Sequence, residues 1–131
     1  MKAQCDYYEA KLRYEIDSWD LHEALNSKEV PVVLDTRSPD AYAAEHIPGA
    51  ISLPHRQMDR QSTARLDRSR LYVTYCDGIG CNASTKGALK MAKLGFRVKE
   101  LLGGLDWWKR DGHPTQWSLA SSSSEGKVCG C

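Results

Sequence analysis

Apolar positions along this chain fall into short runs, and the spacing within each run sets the expected element. Pro31-Val32-Val33-Leu34 is apolar without alternation, the pattern of a strand buried on both faces. Leu71-Tyr72-Val73-Thr74-Tyr75 is a second strand, rich in the β-branched and aromatic residues that fill a sheet face. A brief strand is predicted at Ala50-Ile51-Ser52-Leu53, closed by Pro54, and another over 96–102, where Phe96, Val98, Leu101 and Leu102 supply the apolar positions. After a loop at 76–82, Ala88, Met91, Ala92 and Gly95 recur at three- and four-residue spacing, while Lys86, Lys90 and Lys93 occupy another face. That pattern predicts a helix with one side on the sheet and its lysines in water. Gly95 is placed to stop it in a left-handed cap, with Phe96 folding back over the last turn.

The polar punctuation completes the layout. Asp17 can cap a helix with Asp20 as reciprocal partner, and Trp19, Leu21, Ala24 and Leu25 then form an apolar stripe up to about Asn26. Ser38-Pro39 is a helix start, since serine caps while proline lacks a donor that would go unused; Pro48-Gly49 keeps that helix short. Gly103-Gly104 makes a turn into a short helix over 105–110, ended by Gly112 and Pro114. Its Trp107 and Trp108 read as packing over a core or sheet edge rather than as a stacking platform for a ligand. Residues 55–70 carry Arg56, Arg60, Arg65, Arg68 and Arg70, with Met58, Ala64 and Leu66 as apolar anchors, and read as a solvated helix or connection. Strands separated by helices imply crossover units, hence an α/β fold with a parallel sheet.

Residues 1–13 alternate charge and aromatics without a clear period, the mark of an extended arm or a frayed helix. From Ser118 the chain is Ser-rich and ends Cys129-Gly130-Cys131, which predicts a flexible tail. The expected division is an N-terminal arm at 1–13, one domain at 14–117 and a tail at 118–131. A second core does not fit in 131 residues.

Lys and Arg total 18 against 17 Asp and Glu, so a net charge of +1 gives no long-range attraction for nucleic acid or an anionic membrane. No run approaches the roughly 18 apolar residues of a membrane span, and the start MKAQCDYYEAKLR lacks the apolar core of a signal peptide. The expected location is cytoplasmic. Five cysteines, at 5, 76, 81, 129 and 131, do not make a disulfide framework for a chain this long. Cys129 and Cys131 are too few for a closed zinc site, so no metal and no cofactor is expected.

The chemistry centres on Cys76, the first residue after the strand 71–75. Ligands of parallel sheets bind where loops leave the carboxyl ends of strands. In Cys76-Asp77-Gly78-Ile79-Gly80-Cys81-Asn82 two glycines let the backbone curl, so that successive N–H groups can face an anion or a thiolate, and a helix start follows. A thiol of pKa about 8.5 is only about 3% thiolate at pH 7, and lowering it to about 6.5 makes it roughly three-quarters thiolate, for about 2.7 kcal/mol. Asp77 opposes that shift unless it faces solvent or pairs with a cation such as Lys86. Cys81 has two readings: a helix-start core residue, or a second thiol that resolves chemistry at Cys76. Spacing does not give the sulfur separation.

Several fragments occur together in order: Val33-Leu34-Asp35-Thr36-Arg37-Ser38-Pro39-Asp40-Ala41-Tyr42, Glu45-His46-Ile47-Pro48-Gly49-Ala50 with Leu53-Pro54, Tyr75-Cys76, Leu94-Gly95-Phe96, and Gly103-Gly104-Leu105-Asp106-Trp107. On these the chain resembles a rhodanese-like domain of the single-domain sulfurtransferase type, over about residues 14–114. The resemblance implies a three-layer fold, a central parallel sheet of about five strands with helices on both faces. It makes Cys76 the sulfur-accepting cysteine, which takes sulfane sulfur from thiosulfate or a persulfide and passes it to a thiol, cyanide, a protein or another nucleophile. Asp35 and Arg37 match family positions that organise the active-site loop, and His46 matches one that fixes the turn before the short strand. The loop departs from the family pattern: it reads as about two residues longer and carries no Lys or Arg before Lys86. That makes thiosulfate a poorer donor than a persulfide. It also weighs against a Cys-dependent phosphatase or arsenate reductase, which need the loop arginine. A catalytically weak binding or regulatory module is the remaining alternative.

Overall fold

The computed structural model describes residues 1–118. In chain order the elements are α1 (Lys2–Tyr14), β1 (Glu15–Ile16), α2 (Ser18–Leu25), β2 (Val32–Asp35), α3 (Pro39–Ala44), β3 (Ile51–Ser52), a 3-10 turn (His55–Gln57), β4 (Leu71–Tyr75), α4 (Ala83–Lys93), β5 (Arg97–Leu101) and α5 (Gly104–Arg110). The five strands form one parallel sheet in the order β1-β5-β4-β2-β3. β2 and β4 are its central pair, in register from Val32 opposite Tyr72 to Asp35 opposite Tyr75.

Alternation along the strands divides the core into two layers. Val33, Val73 and Tyr75 lie on one face with Leu21 of α2 and Leu105 and Trp108 of α5. Leu34 and Tyr72 lie on the other with Met91 of α4, Met58 and Phe96. Helices therefore cover both faces, as the uninterrupted apolar runs require. The local signals act as read: Asp17 accepts from the Asp20 amide at 2.8 Å and Ser38 from the Ala41 amide at 3.2 Å. α4 closes in a Schellman motif, with Gly95 at φ +95° and the Phe96 amide donating to the Met91 carbonyl at 3.0 Å.

Several expectations need correction. Of the two expectations for residues 1–13, extended arm or helix, the structure has the helix: α1 is continuous with no buried residue, Lys2 pairs with Asp6 within it, and Lys11 pairs with Glu15 just beyond its end. The two-residue strand β1, too short to show a period, was not legible and pairs with β5 at the sheet edge. Trp19 does not join the stripe of α2 but is exposed, as is Ala92 on α4, whose buried face is Ala83, Ser84, Gly87 and Met91. Lys90 reaches back, its Nζ donating to the His55 carbonyl at 2.7 Å. In 55–70, Met58 and Leu66 are anchors but Ala64 is exposed, and buried Thr63 fills the third place. Trp108 is core, its indole N–H donating to the Pro114 carbonyl at 2.8 Å, whereas Trp107 is half exposed. Among the described residues no helix is long and apolar enough to cross a membrane. Cys129 and Cys131 lie outside the described residues.

Candidate active site

β4 ends at Tyr75, and Cys76 opens the loop to α4 with 1% of its surface exposed. Thr36, the first residue after β2, donates to the Tyr75 carbonyl from both its amide, at 3.1 Å, and its Oγ1, at 2.7 Å. The carboxyl ends of β2 and β4 are thereby tied together. From this pair the chain moves outward in opposite directions, β2 to β3 and β4 to β5, so the loops diverge here and leave the crevice where parallel sheets place ligands.

α5 holds the other side of the strand end. Its Leu105 amide donates to the Cys76 carbonyl and its Asp106 amide to the Asp77 carbonyl, each at 2.8 Å. First-turn amides have no acceptor inside their own helix, and the loop supplies two. This docking requires the glycine pair. Gly103 and Gly104 have φ of +78° and +60°, and a Cβ on Gly104 would lie 2.4 Å from the Cys76 carbonyl oxygen and 2.8 Å from the Gly78 nitrogen.

Asp77 pairs with a cation, but with Arg37 rather than Lys86. Arg37 Nη1 donates to Asp77 Oδ1 at 3.0 Å across the gap between the two strand ends. Arg37 leaves β2 at the same sheet edge and so reaches Asp77 directly. The rest of its guanidinium is also committed: Nε donates to Asp35 Oδ1 at 2.9 Å, and Nη2 to Asp35 Oδ2 and the Glu45 carbonyl, both at 2.6 Å. Burial disfavours its charge, but the hydrogen bonds and negative charge of Asp35 more than offset this, so Arg37 titrates above its ordinary range. Tyr75 completes the group, its hydroxyl donating to Asp35 Oδ2 at 2.7 Å and accepting from the Ile47 amide at 3.1 Å. Burial, then the Asp35 charge, push that phenol above its ordinary value. From sequence Tyr75 reads as sheet filling; a phenol at the last position of a central strand is the signal that it has a polar partner.

His46 holds the turn before β3. Its Nδ1 donates to the Tyr42 carbonyl at 2.7 Å, its ring stacks on Tyr42 at 3.8 Å between centroids, and its backbone exchanges bonds of 2.8 and 2.9 Å with Gln116. The Tyr42 hydroxyl donates onward to the Ala50 carbonyl at 2.7 Å. His46 thus contacts the turn and Gln116 through backbone groups.

Within the loop, the Cys81 amide donates to the Gly78 carbonyl at 3.2 Å, folding the chain back on itself. Gly78 lies against Asp106, where a Cβ would sit 3.3 Å from the Asp106 Cβ, while Ile79 and Gly80 are exposed at the tip. Asn82 is the N-cap of α4; its side chain makes no capping bond, and its carbonyl accepts from the Lys86 amide at 3.0 Å. The turn returns Cys81 to the strand end, where Cys76 and Cys81 are joined by a disulfide with their Cα atoms 6.3 Å apart. The two sulfurs, whose separation spacing leaves open, are in bonding contact. Among the described residues no group of three or more His, Cys, Asp or Glu is arranged to hold a metal ion.

A parallel five-stranded sheet with a cysteine loop at its central carboxyl edge invites comparison with known proteins. The rhodanese-like domain family matches residues 18–111. This chain belongs to that family. The crystal structure of the BH2092 protein from Bacillus halodurans superposes with a TM-score of 0.85 at 39% identity, covering 90% of this chain and 87% of that one. Thiosulfate sulfurtransferase GlpE from Pseudomonas putida is 38% identical over 87 residues, 65% of this chain and 76% of that protein. The HTH-type transcriptional regulator Rv0324 from Mycobacterium tuberculosis is 37% identical over 84 residues, which are 63% of this chain but only 36% of the regulator. At the level of the family, the activity class of this rhodanese-like chain is that of a sulfurtransferase.

Proposed function

We propose that the chain moves sulfane sulfur from a donor to a nucleophilic acceptor through a persulfide on Cys76, with residues 14–117 as the working unit. The observation that carries this reading is the position of Cys76 in a family of sulfurtransferases: first after the central strand, at the switch point of the sheet, with its carbonyl held by α5. As a reduced thiolate, Cys76 attacks the outer sulfur of the donor. The donor's inner atom leaves with the electron pair, and Cys76 holds the transferred sulfur until an acceptor thiol or cyanide attacks it. Asp35, Arg37 and His46 act as positioning residues around loop 76–82.

The donor is a small or protein persulfide rather than thiosulfate. Loop 76–82 contains no Lys or Arg, and the nearby guanidinium of Arg37 is spent on Asp35, Asp77 and the Glu45 carbonyl. Within loop 76–82 and at Arg37, a dianion therefore finds no uncommitted cation. The thiolate chemistry belongs in a reducing compartment, which agrees with the cytoplasmic location expected from sequence.

The test is intact-mass measurement after the reduced protein meets one equivalent of a cysteine persulfide. A gain of one sulfur atom, about 32 Da, mapped to the Cys76 peptide and lost in Cys76→Ser, is the expected result. No selective gain at Cys76 would turn the assignment towards a binding module, as in a regulator that carries this domain.

A further inference from the structure

We propose that Cys81 reduces the sulfur held on Cys76 to hydrosulfide, which makes the site a persulfide reductase as well as a carrier; this rests on the Cys76 persulfide reading above. The loop is built for it. The Gly78–Cys81 turn returns the second sulfur to the strand end, five residues after the first, with a Cα separation of 6.3 Å. The α5 amides fix the backbone of Cys76 and Asp77, and the tip at Ile79 and Gly80 is exposed.

The step balances. The Cys81 thiolate attacks the inner sulfur, Sγ of Cys76, and the Cys76 Sγ–Cys81 Sγ bond forms. The bond from Cys76 Sγ to the outer sulfur breaks, and the outer sulfur leaves with the electron pair as hydrosulfide. One sulfane sulfur gains two electrons, and the two cysteine sulfurs together lose them. The product on the protein is the disulfide seen here. A dithiol reductant then regenerates the pair. Cys76 is buried while Cys81 is half-buried, so the incoming thiolate attacks Cys81 and Cys76 departs as the thiolate, ready for another donor.

Intramolecular attack over a short loop faces an effective concentration in the millimolar range or higher, so Cys81 competes with dilute external acceptors. A persulfide on Cys76 therefore has a short life unless an acceptor is close.

The full chain is reduced, desalted and mixed with one equivalent of cysteine persulfide, and intact mass and released sulfide are followed together. Wild type should gain about 32 Da, then convert to a 76–81 disulfide as one equivalent of sulfide appears. Cys81→Ser, with Cys81→Ala as a second variant, should take up the sulfur and hold it at least about tenfold longer, exposed only to the dilute cysteine that the donor leaves behind. Equal persulfide lifetimes in wild type and both variants, with no 76–81 disulfide, would overturn this inference and leave the Cys76 carrier standing. Absence of loading in wild type and both variants would overturn the carrier reading and this one with it. Loading of Cys76→Ser but not of Cys81→Ser would show that Cys81 is the first nucleophile and would overturn both assignments.

Discussion

Gly104 packs against the carbonyl of Cys76 so closely that a Cβ on it would lie 2.4 Å from that oxygen, with φ at +60° adding a backbone penalty. Gly104→Ala is expected to cost about 3 kcal/mol, combining left-handed strain with overpacking. Because the displaced atoms are the loop backbone itself, sulfur loading should fall together with stability. Urea unfolding of reduced protein gives the first quantity and persulfide formation at Cys76 the second. A variant of wild-type stability and loading would mean that α5 does not clamp the loop.

The Asp35–Arg37 pair is buried, and Asp35 accepts from the Arg37 amide and guanidinium and from the Tyr75 hydroxyl. Asp35→Asn leaves a buried guanidinium with one carboxylate fewer, and a loss of about 3–5 kcal/mol is expected. Tyr75→Phe removes two bonds of the hydroxyl for about 1–3 kcal/mol. A double-mutant cycle should show that the costs do not add, since both changes act on Asp35 Oδ2. Additivity within about 0.3 kcal/mol would argue against a shared network.

The strands β2 and β4, the capped helices and the Schellman end of α4 were legible because each depends on local pattern: an apolar run, a serine before proline, a glycine before an aromatic. Placement of Cys76 was legible for the same reason, as the residue that follows a strand and precedes a glycine loop. The partners of Asp77 and Tyr75 were not, because Arg37 and Asp35 lie about 40 positions away in sequence and meet them only when β2 and β4 pair. Lys86 was the nearer cation along the chain, and topology decided for Arg37. The Cys76–Cys81 contact was open for a related reason: four intervening residues, two of them glycine, permit it, and the Cys81–Gly78 turn selects it.

Asp77 follows Cys76 directly, and its side chain, 34% exposed, shares Arg37 with Asp35. A carboxylate next in sequence to Cys76 places negative charge near the sulfur and opposes the thiolate. Asp77→Asn should therefore favour the Cys76 thiolate and raise its alkylation rate at pH 7 by about two- to threefold. The comparison is made in a Cys81→Ser background, so that neither protein forms the disulfide, and reads the peptide containing Cys76, since Cys5 is exposed on α1 and also reacts. Slower alkylation of the Asn variant would mean that the Arg37–Asp77 pair organises the loop more than its charge opposes the thiolate.

Stability should fall on mild acidification, through histidine. His113 titrates below its ordinary value because of burial first and the neighbouring His22 second, with Asp111 opposing; it stacks on His22 at 4.3 Å and lies 4.6 Å from Trp108. His55 is also depressed, by burial first and then by Arg56, Lys90 and Lys86. In both cases the unfolded chain binds its proton at a higher pH than the folded one. Stability is therefore full above about pH 6.5, the ordinary value for the imidazole, and is lost as the pH drops from there through the folded values. The depressed carboxyl of Glu45, where burial is outweighed by Lys109 and Thr115, adds a separate loss only below its ordinary value of 4.5. Urea midpoints of reduced protein at pH 7.5, 6.5 and 5.5 should decline over the last interval, and the decline should be smaller in His113→Gln and in His55→Gln. A midpoint that stays level to pH 5.5 in wild type would show that neither imidazole is held neutral by the fold.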